Sequence, residues 1–136
     1  MADSRDTAAR RRARFLRRGS VPLFAHGLLE YGIGILAIAA PFLFSFDHNG
    51  AIALSVLMGA AILVLGGLTD GPTGIVRNLP VASHVVLDVV VGVVLVVAPF
   101  VFGFTEDTAA TAFMVLLGLA FLVLTFTTRY HAGDHR

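Results

Sequence analysis

Four stretches, Val21 to Ala40, Ala51 to Leu68, Val81 to Ala98 and Ala109 to Thr127, are long enough to cross a bilayer and hold almost no charge. A helix rises about 1.5 Å per residue, so roughly 20 residues match a hydrocarbon core about 30 Å thick. In lipid the backbone must satisfy its own hydrogen bonds, which leaves helices or a closed barrel. Runs such as VVLDVVVGVVLVVA lack the polar alternation of a barrel strand. The sequence therefore predicts an all-α membrane protein with four transmembrane helices. Composition agrees: 57% of the 136 residues are hydrophobic and 14% charged, more apolar surface than a soluble domain this small can bury. The absence of cysteine excludes disulfides, thiolate ligands and thiol catalysis.

The charge sits outside the spans. Every basic residue is Arg, and seven of the ten precede residue 19, among them Arg10, Arg11, Arg12, Arg14, Arg17 and Arg18. Arg77 lies between spans two and three, and Arg129 and Arg136 follow span four, whereas the short connections at Asp47 to Gly50 and Thr105 to Thr108 carry acids and no Arg. By the positive-inside rule both termini are expected in the cytoplasm. The organisation expected is an Arg-rich cytoplasmic segment at residues 1–20, a first two-helix unit at 21–68, a cytoplasmic linker at 69–80, a second unit at 81–127 and a cytoplasmic tail at 128–136. A cleaved signal peptide is not expected, because the first span contains Glu30 and its pattern recurs in mid-chain.

That recurrence is an internal duplication. Aligning His26 with His84 superimposes HGLLEYGIGILAIAAPFLFSF on HVVLDVVVGVVLVVAPFVFGF, matching Gly34 with Gly92, Ala40-Pro41-Phe42 with Ala98-Pro99-Phe100, and Glu30 with the similar Asp88. With one inserted residue the second helices align as well, placing Gly59 on Gly118. Each unit has an even number of spans, so the two hairpins are expected in the same orientation about a pseudo-twofold axis along the membrane normal. The unit resembles the SPW repeat of small bacterial membrane proteins, with Ala-Pro-Phe standing in both copies where that family has Ser-Pro-Trp. The resemblance implies a four-helix membrane architecture and carries no activity, cofactor or catalytic residue with it.

Four intramembrane polar residues stand out. A carboxylate inside a span costs about 2.5 to 3.5 kcal/mol on insertion scales, so Glu30 and Asp88 need partners. Each follows a His by four residues, which predicts the pairs His26 with Glu30 and His84 with Asp88 on one helix face. The same face carries Gly34, Ala37 and Pro41 in the first helix and Gly92 and Pro99 in the third, so it is expected to face protein. Two readings follow: interhelical polar glue, or a cluster handling protons or a divalent metal, haem being a further variant.

FLFSF and FVFGF, after the two prolines, have Phe at every second position, which reads as an extended or interfacial aromatic belt. Gly59 and Gly118 predict close helix approach, within the chain or in a homodimer. The basic N-terminal segment is expected to be topogenic, with anionic lipid headgroups as its surface partner and no nucleic acid. His48, His131 and His135 are expected in solvent. No hydrolase, nucleotide-binding or zinc-protease motif occurs. The function expected is a non-enzymatic structural or partner-binding membrane protein of a bacterial plasma membrane. It needs no cofactor, and its partner is a second copy or another membrane protein. Proton or divalent-ion handling at His26, Glu30, His84 and Asp88 is the alternative.

Overall fold

A computed structural model describes residue 7 and residues 19–130. The basic segment from Arg10 to Arg18, together with His131, His135 and Arg136, lies outside the described residues. In chain order the elements are β1 (Val21–Pro22), α1 (Leu23–Leu43), α2 (Asn49–Leu68), α3 (Val81–Val101), α4 (Thr108–Thr127) and β2 (Thr128–Arg129). All four helices are long and apolar enough to span a membrane. Beside the helices lie two short strands: β1 and β2 pair in parallel, Val21 with Thr128 and Pro22 with Arg129.

The duplication is visible in the packing. Within the first hairpin a Cβ added to Gly59 would lie 2.6 Å from the Gly34 carbonyl oxygen, and one added to Gly118 in the second would lie 2.8 Å from that of Gly92. These glycines bring α1 onto α2 and α3 onto α4, so the close approach serves contacts within the chain. The hairpins also join in matching fashion. Thr69, at the end of α2, bridges in parallel to Leu79 just before α3, as Thr128 pairs with Val21 just before α1. Each hairpin therefore hands its last residue to the start of the other. The backbone groups that helix ends leave unpaired are used to close the ring.

Helices α1 and α3 run three residues past their expected ends at Ala40 and Ala98, through Pro41 and Pro99. Proline removes an N–H and strands the carbonyl four residues earlier. For Pro41 that carbonyl belongs to Ala37, and it accepts the Ser55 hydroxyl of α2 at 2.6 Å. In the second copy the position matching Ser55 is Met114, so this repair is private to the first hairpin.

The alternating Phe residues form a helix terminus, not an extended segment. Phe44 and Phe46 donate to Ala40 and Pro41 carbonyls, and Phe102 and Phe104 donate likewise to Ala98 and Pro99, giving two matching Schellman caps. Phe42, Phe44, Phe100 and Phe102 are exposed on the outside, while Phe46 and Phe104 turn into the core. The residue that reverses the chain is Ser45 at φ 52° in one copy and Gly103 at φ 70° in the other. A side chain in the left-handed region costs about 1 kcal/mol or more. Ser45→Gly is therefore expected to stabilise the protein by about 1 kcal/mol, read as a higher unfolding midpoint in detergent micelles.

At this same end Asp107 ties the hairpins together. Its Oδ1 accepts the Ala110 N–H, capping α4, and its Oδ2 accepts the Asp47 and His48 N–H groups at 2.8 and 3.0 Å. Burial pushes the Asp107 carboxyl up, but the three N–H groups and the nearby His48 ring outweigh it and hold the group below its ordinary value. A depressed folded pKa means stabilisation that is full at neutral pH and lost as pH falls through that value. Asp107→Ala is expected to cost about 1 kcal/mol at pH 7. The gap to the parent should shrink below about pH 4, measured as paired unfolding midpoints at the two pH values. His48 is exposed as expected, but it also works: its Nδ1 accepts the Gly50 N–H as the cap of α2, and its ring lies 5.6 Å from that of Phe104.

Candidate functional site

At the opposite end of the bundle, near the β1–β2 pair, four polar side chains meet. His26 and Glu30 come from the first two turns of α1, and His84 and Asp88 from the equivalent turns of α3. None is more than 2% exposed. Such burial is tolerable only because α1 and α3 face each other here, which puts each helix's polar turn against the other's.

The pairing differs from the one that spacing predicts. His26 does not turn to Glu30 on its own helix; its Nε2 lies 3.2 Å from Asp88 Oδ2 on α3. His84 Nε2 lies 3.1 Å from the same oxygen, the expected i,i+4 contact, and 3.5 Å from Glu30 Oε2 on α1. The i,i+4 rule places two residues on one face but does not see a partner arriving from another helix. The two imidazole rings sit edge to face with centroids 5.8 Å apart.

The other nitrogen of each ring is held by a threonine that the sequence reading passed over. His84 Nδ1 lies 2.6 Å from Thr69 Oγ1, and His26 Nδ1 lies 2.8 Å from Thr128 Oγ1. Each threonine spends its single hydroxyl proton on its own helix, Thr69 on the Leu65 carbonyl and Thr128 on that of Leu124. The hydroxyl oxygen can then only accept, so each imidazole donates from Nδ1–H and turns Nε2 toward the carboxylates. Thr69 and Thr128 occupy matching positions in the alignment that pairs Gly59 with Gly118. Their identity across the repeat was the signal available in the sequence, and an ordinary helix-ending threonine conceals it.

The rest of the surroundings are tight. A Cβ on Gly66 would sit 3.3 Å from the Glu30 carboxylate, so glycine there admits the acid against α2. Tyr130, following β2, covers His26 with ring centroids 5.7 Å apart. Four atoms of the cluster, His26 Nε2, Glu30 Oε1 and both Asp88 oxygens, are buried with no hydrogen-bond partner. The two His–Asp contacts are at ion-pair separation, and both converge on one oxygen of Asp88. Chemically the set offers two imidazole nitrogens and two carboxylates, suited to holding protons or a divalent cation.

The remaining positions singled out in the sequence take structural places. Gly34, Ala40 and Pro41, like Gly92, Ala98 and Pro99, are buried in the hairpins, whereas Phe42 and Phe100 are exposed.

No curated protein and no solved structure shows significant similarity to the chain. The model of the SPW repeat domain matches residues 24–128, a span that begins at α1 and closes on Thr128. With most of its length matched, including both hairpins and the cluster between them, this multi-pass membrane protein belongs to the SPW repeat family.

Proposed function

We propose that the protein is a non-enzymatic structural unit of a bacterial plasma membrane, in which the buried cluster locks two hairpins into one body that packs against a second copy or another membrane protein. Both termini lie in the cytoplasm in this reading, supported by the Arg-rich start and by Arg77 in the linker. The basic segment then meets anionic headgroups. The observation that carries the proposal is the crossed contact from His26 on α1 to Asp88 on α3. A pair satisfied within one helix would add nothing to the contacts that join the hairpins, whereas this one is lost if they separate. A double-mutant cycle tests it: removing His26 and Asp88 singly and together should show coupling of about 0.5 kcal/mol or more. His26 and Glu30 should couple less. Coupling confined to His26 and Glu30 would refute the lock.

The second reading, ion handling at the same four residues, is favoured by the unpartnered buried atoms. Glue alone would align its hydrogen bonds. In liposomes, Glu30→Gln with Asp88→Asn should leave a folded protein that has lost proton or ion flux. A parent protein with neither flux nor bound metal would count for the lock alone.

A further inference from the structure

We propose that His26, His84 and Asp88, completed by Glu30, bind one divalent first-row transition-metal ion with two nitrogen and two oxygen ligands. This rests on the ion-handling reading and commits it to a ligand class. The ligand atoms of His26, His84 and Asp88 lie within 4.8 Å of one another, and Glu30 Oε2 adjoins them at 3.5 Å from His84 Nε2.

Three observations carry the assignment. First, the His–carboxylate separations are near the right scale. With metal–nitrogen and metal–oxygen bonds of about 2.0 to 2.2 Å, the edges of a tetrahedron are about 3.3 to 3.6 Å. Three of the six edges are 3.1, 3.2 and 3.5 Å, so the set closes on an ion with shifts of a few tenths of an ångström along these edges. Second, two of the ligand atoms, His26 Nε2 and Asp88 Oδ2, are buried without a hydrogen bond, as are the second oxygens of Asp88 and Glu30. Buried polar atoms left so are costly, and an ion held by the set answers them. Third, the supporting shell is already present. Metal-binding histidines characteristically give their other N–H to a fixed acceptor, which sets the tautomer and aims the ligating nitrogen. Thr69 and Thr128 do this for the two rings, each anchored in turn on a helix carbonyl.

Charge and ligand type narrow the ion. Two carboxylates balance one divalent cation, so the loaded site is neutral within an apolar bundle. Two imidazoles disfavour Ca2+ and Mg2+, which take six or more oxygen ligands, and suit Zn2+, Fe2+ or Co2+. The repeat supplies two ligands from each copy, so neither hairpin forms the site alone. Tyr130 and Gly66 shape its margins without being ligands.

The test uses the full chain in detergent micelles, stripped with a chelator and titrated with Co2+ as the probe. The expected result is one Co2+ per chain by elemental analysis, with the intense visible absorption of a four-coordinate ion, bleached by added Zn2+. His26→Gln and His84→Gln should abolish the absorption, and His48→Ala should leave it unchanged. Thr69→Val touches no metal, so it should keep the helical circular dichroism while weakening Co2+ binding about 10- to 100-fold. A folded parent protein that takes up no stoichiometric Co2+ would overturn the proposal, as would binding lost with His48→Ala and retained without His26 and His84. If no Co2+ binds while Glu30→Gln with Asp88→Asn still removes proton flux, the metal assignment fails and ion handling stands. Loss of neither binding nor flux in those variants would end both.

Discussion

Asp88→Ala is expected to destabilise the protein by about 3 to 5 kcal/mol, the loss typical of removing one member of a buried ionic set. Asp88 Oδ2 is the point on which both imidazoles converge, at 3.2 and 3.1 Å. Without it, His26 Nε2 loses its carboxylate and His84 Nε2 keeps only the longer contact to Glu30. The informative comparison is with a variant in which all four residues become apolar: His26→Phe, Glu30→Leu, His84→Phe and Asp88→Leu. Replacing a whole buried ionic set removes its desolvation cost together with its attraction, and often leaves stability unchanged or raised. The fourfold variant should therefore unfold later than Asp88→Ala in the same micelles, despite carrying more substitutions. An order reversed from this would show that the cluster is worth more than its pairwise contacts, as a bound ion would make it.

The second large effect is expected at the glycine contacts inside each hairpin. Gly59→Leu puts a side chain where even a Cβ would lie 2.6 Å from the Gly34 carbonyl oxygen and 2.9 Å from the Ile38 nitrogen. Backbone cannot yield as a side-chain tip can, so α1 and α2 must separate along their length. Overpacking costs about 1 to 3 kcal/mol for added methylenes in a core, and a displaced helix pair belongs at or above the upper end. Gly118→Leu should behave alike in the second hairpin, where the Gly92 carbonyl oxygen would lie 2.8 Å away. Gly32→Ala is the control: its Cβ meets nothing within 4 Å. Relief of helix-interior glycine should make that variant neutral or more stable by about 0.5 kcal/mol. Unfolding midpoints of the three variants decide the matter. Equal losses at Gly32 and Gly59 would mean the hairpins do not pack as described.

Gly59 and Asp88 also mark how far the sequence can be read. That Gly59 and Gly118 bring helices together was legible, because small residues at matching mid-span positions have few other uses in lipid. Whether they served this chain or a second copy was not, since a glycine shows where contact is permitted and not what arrives there. The extended alternative for the Phe alternation fails for a related reason: a period of two is not local strand geometry here, because the proline-bearing helix continues through Leu43 and a Schellman turn follows it. Ser45 gave no warning, since serine rarely takes a positive φ; the matching Gly103 was the clue.

What the chain alone determines is whatever hydropathy and repetition can carry: four spans, a doubled hairpin, and two acids with two histidines at equivalent depth. These are sums and offsets along one dimension, and lipid enforces them strictly because it offers the backbone no alternative partner. Tertiary structure alone decided that His26 answers Asp88 and not Glu30, that Thr69 and Thr128 aim the rings, and that Asp107 ties the α1–α2 connection to the α3–α4 connection. Each of these depends on how one helix is rotated and set against the next. That rotation follows from the packing of whole faces, which no spacing within a single helix contains.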